Sequence, residues 1–128
     1  MTDRQLLEEF ERGTLQPFHH ADHVHVAFAY LNRYPPAEAL ARFSRGLQHL
    51  ASLHGKPNLY HETITWAYVC WIRQRMADRG PETWEAFRQA NPDLLLSKEG
   101  ILDRYYREET LASERARRMF LFPDKRCG

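Results

Sequence analysis

The chain has 128 residues, of which 43% are hydrophobic and 27% charged, and its formal net charge is +1. This length and composition are typical of one globular domain with its own core. The small net charge argues against a nucleic-acid partner, and two cysteines are too few for a disulfide framework. No stretch approaches the roughly 18 uninterrupted apolar residues of a membrane span. We therefore expect a single cytoplasmic domain over residues 1–128, with no membrane partner.

The N-terminal half of the chain contains residues that typically begin and end helices. Thr2 is expected to cap a first helix that ends at Gly13. Asp22 is expected to cap a second helix over roughly residues 23–33. A third helix is predicted from about Pro36 to Leu53, because proline suits the first helical turn.

The C-terminal half shows the same punctuation with shorter segments. A fourth helix is predicted over roughly residues 60–78, a fifth after Pro81, a sixth from Ser97 and a last from Ser113, before an irregular tail from about residue 121. Signals for β-strands are nearly absent. The sequence therefore predicts an all-α, single-domain bundle of about five to seven helices with mostly antiparallel neighbours, centred on the third and fourth helices.

The most unusual segment of the chain is its histidine cluster, with four of the seven histidines between positions 19 and 25. Helical periodicity places His23 at the edge of the side that faces the core, and His20 on that side if the helix begins early; if Asp22 is the cap, His20 lies in the preceding turn, close to the helix entry. His25 points to the opposite, solvent-facing side. An H-x-x-H spacing puts two imidazoles on one side of a helical turn, where they can share a metal ion. The third ligand of such a site is not local.

A His-Glu pair at the start of the fourth helix supplies the candidate third ligand. A protonated His61 would oppose the helix dipole, whereas a neutral imidazole is the form that binds metals. Glu62 is a candidate fourth ligand or general base, although helix-end electrostatics alone also explains a glutamate there. His20, His23 and His61 with an open position suit Zn²⁺ best, with Fe or Cu as alternatives.

Further candidate groups lie on the fourth helix and on a late helix. Tyr68 and Tyr105 are expected to hold a small organic substrate and to act beside Glu62 as catalytic residues. The spacing places Tyr105 and Glu109 on one side of the same late helix. Cys70 lies within an apolar run and is expected to be an inert, buried thiol.

Two segments together carry a family resemblance. Residues 18–23, which read FHHADH, and residues 60–65, which read YHETIT, resemble an uncharacterised family of small bacterial helical proteins. The resemblance extends to the tyrosines at 105 and 106 and to a Phe-x-x-Pro-Asp ending, here with Pro123 one place later. It implies a compact bacterial domain and says nothing about chemistry.

Three functions are compatible with these patterns. The leading hypothesis is a metal-dependent enzyme, a hydrolase, lyase or oxidase, that acts on a small organic molecule between helices. The second is a metal-free enzyme in which His23 and His61 exchange protons, with Glu62 or Asp22 setting a tautomer. The third is a non-catalytic binding or regulatory module, which predicts an exposed apolar patch and histidines that lie apart.

Overall fold

The computed structural model describes residues 1–125 and is all-helical over that range, with no strand among those residues. The all-α prediction is confirmed. The α-helices are α1 (Asp3–Arg12), α2 (His20–Arg33), α3 (Pro36–Leu53), α4 (Glu62–Arg79), α5 (Trp84–Ala90), α6 (Ile101–Tyr105), α7 (Glu108–Leu111) and α8 (Glu114–Arg118). Two short 3-10 turns, Pro57–Leu59 and Pro92–Leu95, lie between them. None of the helices within the described residues is long and apolar enough to cross a membrane.

The second helix begins earlier than its sequence suggests. The first helical residue is His20, and Asp22 lies inside the first turn rather than capping it from outside. From there Asp22 Oδ2 accepts the backbone N–H of His19 at 2.9 Å. The carboxylate thus satisfies a free donor at the helix start from the third helical position. The early start brings His20 into the helix.

The C-terminal part of the described chain contains more and shorter helices than predicted. The sixth helix begins at Ile101 rather than at Ser97, and it ends at Tyr105. An additional helix, α7, then carries Glu109. Tyr105 and Glu109 therefore lie on separate helices, and the expectation that they share one helical face is wrong. Extended backbone at Tyr106 and Arg107 separates the two elements.

The centre of the bundle is α2, and the prediction of α3 and α4 as the centre is wrong. The run 26–31 of α2 is buried on every side of the helix. This helix packs against α1, α3 and α4. A helix that is apolar all round is stable only when it is enclosed. Ala27 and Ala29, both almost fully buried, let the neighbouring helices approach closely.

Cys70 is exposed, contrary to the expectation of a buried thiol. The buried residues of α4, among them Val69 and Ile72, lie on the other side of the helix. Cys70 shares the exposed face with Trp66 and Arg73, which lie four residues before it and three residues after it. An apolar run in sequence can therefore include one residue of the solvent-facing stripe.

A single buried hydroxyl ties the end of the described chain to α4. Thr63 is fully buried, and its Oγ1 lies 2.7 Å from the carbonyl oxygen of Ala116 and 2.8 Å from that of Met119. The same oxygen accepts the backbone N–H of Leu121 at 3.1 Å. One side chain therefore satisfies backbone groups of α8 and of the segment that follows it.

We expect Thr63→Val to lower the free energy of unfolding by about 2 kcal/mol, because the N–H of Leu121 loses its acceptor without a change in side-chain shape. Urea denaturation followed by circular dichroism measures this. Thr65→Val is the matched control. The Thr65 hydroxyl donates to the carbonyl of His61 at 2.8 Å, an oxygen that also accepts a backbone N–H, so its loss orphans no backbone group. An equal decrease in the free energy of unfolding in the two variants would contradict the stabilising role of the Thr63 hydroxyl.

Candidate functional site

Two neighbouring cavities, which share four lining residues, lie between the N-terminal turn of α2, the C-terminal half of α3 and the first turns of α4. We name the larger one, of about 420 Å³, the outer chamber, and the smaller one, of about 50 Å³, the inner chamber. The outer chamber is lined by Gln16, Pro17, Phe18, His23, Leu47, Leu50, Ala51, His54, Leu59, Tyr60, His61, Ile64 and Thr65. The inner chamber is lined by His20, His23, Val24, Phe43, Leu47, Ile64, Thr65 and Tyr68.

His23 lies at the junction of the two chambers. Its ring packs against Phe18, with the ring centroids 4.2 Å apart. No hydrogen bond from residues 1–125 reaches the His23 imidazole, and no buried side-chain nitrogen or oxygen in that range lacks a partner. The His23 nitrogens have no hydrogen-bond partner among these residues, so they are accessible, and the chambers beside them are where a ligand can contact them.

The environment of His23 keeps its imidazole neutral at pH 7. Burial lowers the pKa of His23 to about 4, and the nearby imidazole of His20 contributes in the same direction. The carboxylate of Asp22 opposes both effects without overcoming them. A neutral imidazole has one N–H donor and one nitrogen acceptor. His23 thus offers both to whatever occupies the chambers.

His20 is held in one orientation at the wall of the inner chamber. Its Nε2 lies 2.9 Å from the carbonyl oxygen of Leu94, which can only accept, so Nε2 carries the hydrogen. The edge of its ring meets Tyr68 at 5.0 Å between centroids. Asp93 anchors the turn that presents Leu94, because its carboxylate accepts hydrogen bonds from Arg75 at 2.6 and 2.8 Å. This pairing lowers the pKa of Asp93 to about 2.

His61 is the N-cap of α4, and both of its ring nitrogens are engaged. Nδ1 accepts the backbone N–H of Ile64 at 3.1 Å, and Nε2 donates to the carbonyl oxygen of Leu111 at 2.8 Å. Burial lowers the pKa of His61, which favours this neutral form. Neither nitrogen retains a lone pair for a metal ion or a position for an incoming proton. His61 therefore lines the outer chamber as a structural group.

The three predicted metal ligands do not converge in this structure. The ring centroids of His20 and His23 are 6.4 Å apart, and His61 is committed to its two backbone partners. Among residues 1–125, no group of three His, Cys, Asp or Glu side chains is placed to hold a metal ion. Among the described residues, His20 and His23 both line the inner chamber, whereas His61 caps α4 and hydrogen-bonds to Leu111.

Glu62 lies outside both chambers, in a separate polar depression that it shares with Gln48 and Arg117. It accepts a hydrogen bond from the hydroxyl of Tyr60, which also lies 2.7 Å from Ser44 Oγ. Tyr60 lines both the outer chamber and this depression. Burial and the bond to Glu62 raise the pKa of Tyr60 to about 12. Glu62 is thus linked to the wall of the outer chamber by its hydrogen bond to the Tyr60 hydroxyl.

The two candidate catalytic tyrosines are separated. Tyr68 lines the inner chamber, and its burial, with smaller effects from Asp103 and Asp93, raises the pKa of its hydroxyl to about 12. Tyr105 packs against Trp71 at 5.4 Å between ring centroids and lines neither chamber. Of the predicted catalytic residues, only Tyr68 therefore belongs to the cavity.

The contacts of two other histidines are fixed by the tertiary structure. His25, expected on the surface, is half-buried: it stacks on Trp84 at 4.4 Å and its Nε2 lies 3.2 Å from Asp3 Oδ1. His54 is the C-cap of α3, and its Nε2 also lies 2.9 Å from Gln16 Nε2. This second contact joins two walls of the outer chamber.

Sequence reasoning missed the α3 wall of the outer chamber. Leu47, Leu50, Ala51 and His54 follow the spacing i, i+3, i+4, i+7, which marks one helical face. That spacing identifies the face but does not reveal that part of it borders an open cavity. Phe18, in the loop before α2, supplies the opposite wall.

A second apolar feature is exposed on the surface, away from the chambers. Trp66 and Phe120 stack at 5.3 Å between centroids, and Phe122 meets Phe120 edge-on at 5.6 Å. Phe122 is 81% exposed. This aromatic row is the kind of exposed patch that the binding-module hypothesis predicts.

The capping geometry predicts that His61→Ala destabilises the fold by about 2 kcal/mol, because a helix cap and a buried hydrogen bond are both lost. His61→Asn is the matched variant. Asparagine is a good N-cap but does not reach Leu111, so we expect about half that loss. Chemical denaturation of both variants gives the comparison. Wild-type stability in His61→Ala would contradict the structural role.

No protein-family model, curated protein or solved structure matches this chain. The resemblance to small bacterial helical proteins therefore stays a prediction.

Proposed function

We propose that this protein binds a small, mainly apolar organic molecule in the outer chamber, with His23 as its polar contact. The observation that carries the proposal is an open cavity of about 420 Å³ in which one imidazole has no partner among residues 1–125. Small-molecule sites are typically concave and mostly apolar, with a few polar groups that fix orientation.

The composition of the walls supports this proposal. Leucine, isoleucine, alanine, proline and aromatic side chains make up most of the outer chamber, and its surface is mainly apolar. Such a surface gains free energy when an apolar molecule displaces water from it, at about 25 cal/mol per Å² of apolar area buried. The wall formed by Phe18 is also supported by the core, because Phe18 stacks on Phe10 at 5.6 Å between ring centroids.

Metal-free proton transfer on the bound molecule is the second candidate function. It is favoured by the neutral imidazole of His23, which has a nitrogen free to accept a proton, but a pKa of about 4 makes this nitrogen a weak base at pH 7. His61 does not exchange protons with it, since both of its nitrogens are already used. The partner for a proton would instead be the ligand itself.

The binding proposal is tested by fluorescence titration with N-phenyl-1-naphthylamine, an uncharged apolar probe. We expect saturable binding, and we expect Ala51→Phe, which fills the outer chamber, to weaken it at least about tenfold, or about 1.4 kcal/mol. Ala41→Phe is the matched control, because Ala41 is exposed on the same helix and outside both chambers. No saturable binding, or equal effects of the two variants, would overturn the proposal.

A further inference from the structure

The chambers exclude charge from their walls. No lysine, arginine, aspartate or glutamate from residues 1–125 lines either chamber. A charged ligand group would lose part of its hydration there without gaining a counter-ion. Permanent anions and cations are therefore poor occupants of this site.

The histidines that border the chambers differ in what they offer to a ligand. His61 offers neither nitrogen, because its cap contact and its bond to Leu111 use both. His20 uses its Nε2–H on Leu94, which leaves only an acceptor in its neutral form. His23 alone among these three has both a donor and an acceptor free. A ligand group that can either donate or accept can pair with whichever His23 nitrogen faces it.

The sizes of the chambers limit where that polar group sits. The chambers share His23, Leu47, Ile64 and Thr65, so the inner chamber lies next to the end of the outer one at His23. The inner chamber, at about 50 Å³, has room for a small group and not for a chain or a ring system. An apolar body in the outer chamber with a compact polar end at His23 fits both volumes.

We propose that the ligand is an uncharged amphipathic molecule with one terminal hydroxyl group, an alcohol or a phenol, whose hydroxyl forms a hydrogen bond with one ring nitrogen of His23. The hydroxyl donates to that nitrogen if it is the acceptor and accepts from it if it carries the hydrogen, so the bond forms with either tautomer in an apolar site. The inference rests on the proposed binding function and names the class of molecule bound.

The experiment is displacement of N-phenyl-1-naphthylamine at pH 7.5 by four molecules of equal chain length: 1-heptanol, heptanoate, heptylamine and 1-chloroheptane. We expect 1-heptanol to displace the probe at a concentration at least about tenfold below that of each of the other three, which corresponds to one hydrogen bond in an apolar site. Similar displacement by all four, or preference for a charged competitor, would overturn the ligand class while leaving the proposed binding function intact. If the probe itself does not bind, the proposed function fails first.

Variants of the imidazole separate a specific contact from general hydrophobicity. In His23→Leu we expect the preference for 1-heptanol over 1-chloroheptane to fall about tenfold, while the probe still binds. His49→Leu is the matched control, since His49 is exposed on α3 and lines neither chamber, and its preference should stay within about twofold of wild type. An unchanged preference in His23→Leu would contradict the assignment of His23 as the hydroxyl partner.

Discussion

Acidification from pH 7 to pH 4.5 is expected to lower the stability of the wild-type protein by about 2 kcal/mol more than that of His23→Gln. The cause is the half-buried, neutral imidazole of His23. Its pKa in the folded protein is about 4, against 6.5 for the solvated side chain. Most of the effect comes from burial, with the imidazole of His20 adding to it and the carboxylate of Asp22 opposing it.

The sign follows from where the proton binds. Between pH 6.5 and pH 4 the unfolded chain holds a proton on His23 and the folded protein does not. Stability therefore rises with pH across this window and is lost as the pH falls through it. The difference between the two pKa values corresponds to about 3 kcal/mol in full, and solvent access through the outer chamber reduces the expected effect.

Urea denaturation of both proteins at several pH values measures this difference. The quantity to compare is the change in the free energy of unfolding with pH, rather than its absolute value in each protein. Glutamine keeps a polar side chain of similar length but does not titrate. His49→Gln is the control, because His49 is exposed on α3 and its loss should leave the acid dependence unchanged. The same acid dependence in wild type and His23→Gln would show that the folded protein does not hold this imidazole neutral.

The second large effect is expected at Gly46, in the middle of α3. Gly46→Ala should destabilise the fold by about 2 kcal/mol, although alanine is a better helix former by about 1 kcal/mol. An added Cβ at this position would lie 2.1 Å from Cε2 of Phe10 and 2.6 Å from its Cζ. Atoms do not approach so closely, so α3 or the Phe10 ring must move.

The Phe10 ring has no free space into which it can move. It is 1% exposed and has three aromatic neighbours, Phe18 at 5.6 Å, Phe43 at 5.9 Å and Tyr30 at 6.0 Å between centroids. Because Phe18 in turn packs on His23, a shift of Phe10 also disturbs the wall of the outer chamber. We therefore expect Gly46→Ala to weaken probe binding as well as stability.

A double-mutant cycle tests this clash directly. Phe10→Leu removes the ring atoms that meet the new Cβ, so adding Gly46→Ala to Phe10→Leu should cost at least about 1 kcal/mol less than adding it to wild type. Thermal and urea denaturation of the four proteins gives the coupling energy. A Gly46→Ala variant more stable than wild type would mean that only the gain in helix propensity is felt.

The elements that sequence predicts well here are those whose causes are local. Gly13 ends α1 with a positive φ of 75°, and Pro36 begins α3, as their side-chain chemistry requires. Likewise, the inward direction of His23 follows from helical periodicity, and that of His20 follows from it once α2 begins at His20. The boundaries fail where a partner within the first turn competes with the expected cap, as Asp22 does at the start of α2.

Local pattern was sufficient for the helical class of this chain and for the placement of His23 toward its interior, since both depend on a period of about 3.6 residues. The role of His61 was decided only by tertiary structure, because the carbonyl that occupies its Nε2 belongs to Leu111, 50 residues away. The open cavity was decided in the same way. Its walls come from two connecting segments and three helices, and no periodicity within one helix indicates whether the face opposite is filled or empty.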